Sequence, residues 1–426
     1  MMAQTVLPFK LGITNETLTA HAGLALFGEF CRAHHLSDLV DGELPAPGSG
    51  AGYHPSQFAL PLVLLLHGGG RTLEDLRELR RDAGLREMLQ LTEMPSADAT
   101  GDWLRRMGTS GGLRGLAAVN RTLVARAMGA AEGTDYTLDI DATQIVAEKE
   151  EASRTYKGER GYMPIVGHLA ENDLVVGEEF RAGNDSPGAR NLEFIEYCAV
   201  QMPAGRRIVR LRADSAAYQA GIFNWCAENR VSFAIGADLD VAVRAAIRGI
   251  LTEDWRKFRD GWIAETGHTM NATQQDFRLI VIRRPVQREM FAAEGETERY
   301  TVIASNREET AEQTVAWYNQ RGEHCENRIK DLKVGFQLEH LPCGQQAANA
   351  VYFRLGVVAY NLFVLFKLQV LPPAWRRSQI QTVRWRLYQI AGKVVDHAGA
   401  VYLKIRRTWL KLFESIRTRA AQLVWA

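Results

Sequence analysis

The stretch TLDIDATQIV, residues 137–146, marks the point where the character of the chain changes. It alternates in polarity and is rich in Ile, Val and Thr, a pattern that predicts a β-strand. Asp139 and Asp141 lie two residues apart in it, so both side chains are expected on one face of the strand. The sequence therefore predicts two acids on a stiff element, and the chain on either side has to supply the rest of the fold.

The chain that follows predicts a mixed sheet. Asn172 and Asp173 are turn residues between two apolar stretches, which is typical of a β-hairpin. The predicted strands cover 163–169, 174–181, 207–212 and 231–235, and the predicted helices cover 187–201 and 218–228. The resulting β-β-β-α-β-α-β order predicts an α/β fold whose mixed sheet is covered by helices.

The 426 residues are enough for several domains, and the patterns divide them into five segments. In the β-rich third segment, 277–284 and 299–305 are strand-like while 256–269 is irregular. One long helix is expected over 310–334. The predicted segments are a helical N-terminal region (1–133), a first core part (134–236), a β-rich insertion (237–309), a second core part (310–370) and a basic helical C-terminal region (371–426).

The composition excludes several classes of protein. A hydrophobic fraction of 46% and a charged fraction of 24% are ordinary for a soluble globular protein and argue against disorder. No apolar run approaches the roughly 20 residues of a membrane span, and the first ten residues do not resemble a signal peptide. Five cysteines without a CxxC pair predict reduced, buried thiols rather than disulfides or a zinc site. We expect a cytoplasmic protein that is not associated with a membrane.

The net charge of +1 hides a strong asymmetry. Residues 374–426 hold eleven Lys or Arg against two acids, and aromatic residues are interleaved with them. Such a tail is typical of a surface that binds a polyanion, although a helix pair packing on an acidic body would look the same. Arginines of the N-terminal helices at 80, 81, 86, 105 and 106 are further candidates. The predicted DNA contacts in the tail are Arg376, Arg377, Arg384, Arg386, Arg406 and Arg407.

Three acids on stiff elements could form one site. Asp214 follows the strand over 207–212, and Glu326 lies on the long helix. In a sheet of ribonuclease H type the first and fourth strands are neighbours, which would bring Asp141 beside Asp214. Three clustered carboxylates repel one another unless a cation lies among them, and Mg²⁺ or Mn²⁺ suits oxygen ligands. Taken singly, Asp141 could be a surface acid, Asp214 a helix N-cap and Glu326 half of an ion pair.

The long helix carries the most specific pattern, WYNQRGEHCENRIKDLKVGF. Tyr318, Arg321, Glu326 and Lys333 fall within an arc of roughly 140°. Arg321 could hold a phosphate with two hydrogen bonds, and Lys333 could neutralise another. Glu323 and Asp331 compete with Glu326 for the role of third acid.

In these pieces the chain resembles bacterial insertion-sequence transposases of the DDE type, in the group with a Y-R-E-K signature. The resemblance covers roughly 137–367. Four residues separate Arg321 from Glu326, where the family pattern has three, whereas the six between Glu326 and Lys333 match. Asp139 is the weaker first acid because the family's acid is followed by x-T or x-S. The matching pieces are DIDATQI around Asp141, FRAGN at 180–184, RADSAAY around Asp214, YNQRG…ENRIKDLK and AYNLFVLFK at 359–367.

The resemblance implies a ribonuclease H-like core and metal-dependent DNA cleavage and strand transfer. Asp141, Asp214 and Glu326 would be both catalytic acids and ligands of two Mg²⁺ or Mn²⁺ ions. The partners would be double-stranded DNA, as terminal inverted repeats and target, and a second copy of the chain in the DNA complex. Trp255 or Trp262 would catch a flipped base, unless it is a core or interface residue. A catalytically silent DNA-binding relative and a carboxylate-pair hydrolase such as a glycosidase are the alternatives.

Overall fold

The computed structural model describes residues 10–48, 50, 52–129, 133–285 and 298–424, without the side chains of residues 323–327. The N-terminal region is mostly helical, as predicted. Helix α3 starts at a proline, whose missing N–H is not needed there, and buries an almost continuous run of leucines. The Ser96 hydroxyl caps α6 by accepting the Ala99 N–H. The elements are β1 (Thr17–Thr19), α1 (Ala22–Ala33), α2 (Leu36–Glu43), α3 (Pro55–Gly68), α4 (Leu76–Arg81), α5 (Ala83–Leu89), α6 (Ala97–Thr109) and α7 (Gly112–Gly129).

The next segment contains strands and helices close to the predicted positions. The hairpin turn is at Asn172 and Asp173, where Asp173 takes a left-handed φ of 68°. Three short strands, β3 to β5, form a small separate sheet that the sequence did not predict. The elements are β2 (Asp135–Ala142), β3 (Ile145–Val146), β4 (Ser153–Arg154), β5 (Arg160–Tyr162), β6 (Ile165–Leu169), β7 (Val175–Glu179), α8 (Asn191–Gln201), β8 (Arg207–Ala213), α9 (Ala220–Glu228) and β9 (Ser232–Gly236).

The β-rich segment adds four strands to the same sheet. The prediction that 256–269 is irregular is wrong, since this stretch forms β10 and the whole of β11. Its charged and aromatic side chains obscured the alternation, because only one end of β11 is buried. The elements are α10 (Val241–Arg248), β10 (Arg256–Phe258), β11 (Gly261–His268), β12 (Phe277–Pro285) and β13 (Glu298–Ser305).

These strands form one mixed sheet in the order β10-β11-β12-β13-β9-β8-β2-β6-β7. Strands β2, β8 and β9 are parallel to one another, and the remaining neighbours pair antiparallel. The mixed α/β architecture predicted from the sequence is therefore confirmed. The insertion extends the sheet beyond β9, so its strands share a hydrogen-bonded layer with the strands that carry Asp141 and precede Asp214.

Long helices cross this sheet and the chain then returns to its beginning. Helix α12 is apolar and long enough to span a membrane by length and composition alone, but most of it is buried inside the protein. The tail is not wholly helical as predicted, because β14 and β15 form a hairpin that pairs with β1. The elements are α11 (Ala311–Lys330), a π-helical turn (Asp331–Gly335), α12 (Gln346–Gln369), α13 (Ile380–Val383), β14 (Gly392–His397), β15 (Ala400–Lys404) and α14 (Arg407–Val424).

The tail packs against the N-terminal helices. A Cβ at Gly23 of α1 would lie 1.9 Å from the Leu387 carbonyl oxygen, so only glycine allows this approach. Arg417 of α14 pairs with Glu29 of α1, and Lys393 pairs with Glu16. Part of the basic surplus is thus used within the protein, as the alternative interpretation of the tail expected.

The cysteine side chains that the structure describes are buried and free, as predicted; they are Cys31, Cys198, Cys226 and Cys343. Cys325 lies among the residues whose side chains are outside the description.

Arg384 is a structural residue, which corrects the DNA contact predicted for it. Its guanidinium is buried and donates to the carbonyl oxygens of Leu66 at 2.6 Å, His67 at 2.7 Å and Gly335 at 2.6 Å. It therefore joins the end of α3 to the π-helical turn behind α11. A buried charge with this many donors satisfies carbonyls that a helix end leaves without partners.

Replacing Arg384 by Met should lower the free energy of unfolding by about 3 kcal/mol, because three buried carbonyls lose their donors. Denaturant unfolding measures this change. Arg377→Met, on the exposed surface of the same tail, is the matched control and should change stability little. Equal effects of the two substitutions would contradict the structural role of Arg384.

Candidate active site

Two of the predicted acids come together where β2 and β8 end. The ladder pairs Asp139 with Arg212, and the strands run parallel, so Asp141 and Asp214 reach the same level two residues later. Tyr318 of α11 lies close to both. Burial raises the pKa of the Tyr318 phenol, and the charges of Asp214 and Asp141 raise it further, while Arg321 lowers it. Four predicted site residues therefore surround one point at the C-terminal ends of β2 and β8.

Arg321 reaches this point despite its unusual spacing in the helix. Its guanidinium lies 3.1 Å from Asp141 Oδ1 and donates to the Ile140 carbonyl oxygen at 3.0 Å. The side chains of Arg321 and Asp141 are 13% and 22% exposed, so the pair is shielded without being cut off from water. The extra residue between Arg321 and Glu326 thus does not remove Arg321 from the site.

Lys333 lies on the π-helical turn after α11. Its ammonium group donates to the Gln144 carbonyl oxygen at 2.7 Å. Gln144 follows Asp141 by three residues, so this bond ties the turn to the end of the strand that carries the first acid. Gln144 belongs to none of the predicted site residues; its position two residues beyond the end of β2 was the available signal.

Glu326, the predicted third acid, lies on α11 five residues after Arg321. Its side chain and that of Glu323 belong to residues 323–327 and are outside the described side chains. Among the side chains that are described, no three metal-ligating groups cluster. The donor set nevertheless fits a hard divalent cation, because Asp141 and Asp214 are carboxylates at neighbouring strand ends.

Asp214 also acts as an N-cap, the alternative role that its position in the sequence predicted. Its side chain accepts the Ala216 N–H at 3.1 Å and caps a short 3₁₀ turn. Such a bond occupies one carboxylate oxygen and fixes the side chain, which suits a residue that must hold its position at the site. The two roles are therefore compatible.

Asp139 is committed to the core. Both of its carboxylate oxygens accept from Arg212, each at 2.7 Å, and Asp139 is fully buried. Arg212 also donates to the Trp317 carbonyl oxygen at 2.7 Å, and its guanidinium lies 4.9 Å from the Trp317 ring centre. This closed arrangement explains why Asp139, on the same strand face as Asp141, is a poor candidate for the site.

Trp255 lies just before β10 and Trp262 lies on β11, and both are half-buried. The Arg283 guanidinium lies 4.3 Å from the Trp255 ring centre and 5.1 Å from that of Trp262, and Lys257 lies 4.4 Å from Trp262. The two rings thus share one cation and form a single cluster. Arg283 was missed by the sequence analysis because strand alternation alone does not show which rings a cation meets.

The remaining basic residues of the tail fall into two groups. Arg386 stacks on Trp375 with 5.0 Å between the guanidinium and the ring centre, while Arg419 donates to the Leu371 carbonyl oxygen. In the N-terminal region Arg86 donates to backbone carbonyls, and Arg81 and Arg105 pair with acids one turn away. The other predicted DNA contacts of the tail are exposed, and their role stays a prediction; they are Arg376, Arg377, Arg386, Arg406 and Arg407.

Asp331, the other competitor for third acid, lies behind the site in the π-helical turn. Burial raises its pKa to about 6, against the lowering effects of Lys367 and Arg384. In the unfolded chain the carboxyl group ionises near pH 3.8. The folded state therefore holds this proton more tightly, and the associated stabilisation is complete below about pH 4 and lost as the pH rises through about 6.

Asp331→Asn should consequently raise the free energy of unfolding above pH 6 by about 2 kcal/mol, because the buried charge is gone. The gain should disappear near pH 4, where the wild-type carboxyl group is protonated in both states. Unfolding curves at pH 4, 6 and 8 give the comparison. A gain that is the same at all three values would contradict this assignment.

Comparisons with known proteins bear on the whole chain. A family model described as transposase DDE domain group 1 matches residues 8–424. No curated protein matches the chain. Among solved structures, a piggyBac transposase synaptic complex with hairpin DNA is similar at a TM-score of 0.47 and 10% sequence identity, covering 88% of this chain and 82% of that one.

Proposed function

The chain belongs to the transposase DDE domain family, group 1, and from this premise we propose that it cuts and joins DNA at the terminal inverted repeats of its own insertion sequence. The observation that carries the proposal is the meeting of Asp141 and Asp214 at neighbouring strand ends, with Tyr318 and Arg321 beside them. The strand order around β2 and β8 supports a core of ribonuclease H type, and the Y-R-E-K spacing supports a bacterial insertion-sequence origin.

Asp141, Asp214 and Glu326 would hold a pair of Mg²⁺ or Mn²⁺ ions. Such a pair, when bound, activates an attacking water or 3′-hydroxyl and neutralises charge on the phosphodiester. Sequence position makes Glu326 the third ligand, since it follows Arg321 on α11 and precedes Lys333 by the family spacing. Asp139 is excluded from this role by its pairing with Arg212.

The side chains around the acids prepare the site for a phosphate. Arg321 balances the charge of Asp141 before a cation arrives, and its planar fork of N–H donors suits a phosphate oxygen pair. Tyr318 stays protonated because its pKa is raised, so its hydroxyl remains a neutral donor. Lys333 contributes a positive charge on the side of Gln144. Together they would orient the scissile phosphate towards the acids.

The partners in this proposal are double-stranded DNA and a second copy of the chain. Exposed arginines of the C-terminal region and the Trp255–Arg283–Trp262 cluster would contact the DNA ends. Two copies would be needed because two ends are joined in one reaction. The proposed setting is the bacterial cytoplasm, where the nucleoid supplies donor and target.

Incubation of the protein with Mn²⁺ and DNA carrying the inverted repeats that flank its own gene tests the proposal. We expect cleavage at the repeat ends that chelator abolishes, because the acids alone cannot activate a nucleophile. Scrambled ends of the same composition are the control. Specific binding without cleavage would favour the silent DNA-binding alternative. The absence of both binding and cleavage would contradict the transposase activity.

A further inference from the structure

A tight turn of the small sheet lies next to the proposed site. It joins β4 to β5 and contains Thr155, Tyr156, Lys157 and Gly158. The Gly158 N–H donates to the Thr155 carbonyl oxygen at 2.9 Å, and the Thr155 N–H donates to that of Glu159 at 2.8 Å. Gly158 takes a φ of 88°, which is accessible to glycine without strain. The turn is thus fixed by its own backbone.

Gln144 connects this turn to the site. Its amide nitrogen donates to the Thr155 hydroxyl at 2.9 Å and to Glu159 Oε2 at 3.1 Å. Its carbonyl oxygen accepts from Lys333 at 2.7 Å. One residue therefore links Lys333 of the Y-R-E-K pattern to the turn, and the chain runs directly from Asp141 to Gln144.

The electrostatics agree with this placement. Burial lowers the pKa of Lys333, and the charge of Lys157 lowers it further while Glu339 opposes the change. The charges of Lys157 and Lys333 are thus close enough to interact, although the two residues lie on separate elements. Both cations attract a phosphate, against the opposing charges of Glu339 and of Glu159 on the same turn.

The tip of the turn faces water. Tyr156 is 64% exposed, and the Lys157 ammonium group lies 5.6 Å from its ring centre. A single exposed tyrosine is common on protein surfaces. Here, however, the aromatic ring and the cation lie side by side on a fixed turn, beside residues that would hold a phosphodiester. Aromatic rings on which bases stack, combined with cations along the backbone, are how proteins hold nucleic-acid strands.

We propose that Tyr156 and Lys157 form a DNA-contact element beside the active site, in which Lys157 binds a backbone phosphate next to the scissile one and Tyr156 stacks on an adjacent base. This assignment rests on the proposed function, because it takes DNA as the substrate. It adds two contact residues outside the Y-R-E-K helix and outside the β-rich insertion. Gln144 is a positioning residue, since it holds both the turn and Lys333.

Two readouts separate the two contacts. The probe is a duplex carrying the inverted-repeat end, with 2-aminopurine placed in turn at each position flanking the cut, and Ca²⁺ replaces Mn²⁺ so that binding is measured without cleavage. Stacking of Tyr156 quenches 2-aminopurine fluorescence at one position. Tyr156→Phe should keep this quenching, while Tyr156→Leu should lose it and weaken binding about tenfold.

Lys157→Gln should reduce the slope of log K against log salt by about one unit, since one phosphate contact is lost. Tyr156→Leu should leave the slope unchanged. Arg207→Gln is the matched control, because Arg207 is exposed and starts β8, at the end of the sheet opposite Asp214. It should change neither readout.

Failure of this inference is distinguishable from failure of the proposed function. Suppose that the wild-type protein cleaves repeat ends, that Tyr156→Leu keeps the fluorescence quenching and that Lys157→Gln keeps the salt slope. The DNA-contact element is then wrong, and the transposase activity stands. If Tyr156→Phe loses quenching as fully as Tyr156→Leu, stacking is wrong as well. A wild-type protein that binds no repeat DNA overturns both proposals.

Discussion

Asp214→Asn should abolish metal-dependent cleavage of repeat ends while leaving DNA binding and folding intact. The substitution keeps the shape of the side chain and the oxygen that accepts the Ala216 N–H, so the local cap survives. It removes one negative charge from a site whose proposed work is to hold divalent cations. The loss should be at least about a hundredfold in rate, the factor that corresponds to roughly 3 kcal/mol of lost charge stabilisation.

Asp141→Asn should give the same loss by the same reasoning, and it adds a second test. Arg321 pairs with Asp141, so neutralising Asp141 leaves the guanidinium with less compensating charge beside the phosphate. We therefore expect tighter DNA binding than in the wild-type protein, together with lost cleavage. Single-turnover cleavage and binding titrations in Mn²⁺ separate these effects. Full cleavage by either variant would remove that acid from the proposed site.

Asp139→Asn, by contrast, should act on stability. Asp139 and Arg212 form a buried pair with two hydrogen bonds of 2.7 Å, and removing one charge leaves the other buried without compensation. Such a break costs about 3–5 kcal/mol of unfolding free energy. Chemical denaturation of the purified variant measures it, and reduced soluble yield would accompany it.

The controls for Asp139 use the same chemistry elsewhere. The double variant Asp139→Leu with Arg212→Met should recover much of the lost stability, because no lone charge remains in the core. Asp135→Asn breaks an exposed pair with Arg207 on the same two strands and should have a much smaller effect, since water screens it. An Asp139→Asn protein of wild-type stability that fails only to cleave DNA would make Asp139 the first acid instead of Asp141.

Predictions from the sequence succeeded where the pattern of residue types was local and clear. Strand β2 was predictable because its residues alternate, and α11 because its pattern continues over many turns. The strands within 256–269 were not predicted, because β10 has three residues, is largely exposed and is too short to show a period. The tail hairpin was missed for a related reason: β15 is almost wholly exposed, and its pairing with β14 is visible only in three dimensions.

The candidate site divides in the same way. The residue types and spacing in the sequence made Asp141, Asp214, Tyr318 and Arg321 candidates. The structure brings them together at the C-terminal ends of β2 and β8. The sequence could not distinguish Arg384 from the other arginines of the tail, because it does not show which arginine is buried. Nor could it show that Gln144 joins Lys333 to the turn at Tyr156, because these bonds cross between elements.

The sequence by itself determined the α/β class, the positions of most strands and helices, and the acids at strand ends, because backbone periodicity and residue chemistry are local properties. Only the tertiary structure decided which charges are used inside the protein and which remain for a partner. Asp139 and Asp141 show the reason: two identical side chains on one face of one strand differ because Arg212 packs against the first, and the second stands beside Asp214 where parallel strands end. Burial and partners come from distant segments, and the fold alone brings those segments together.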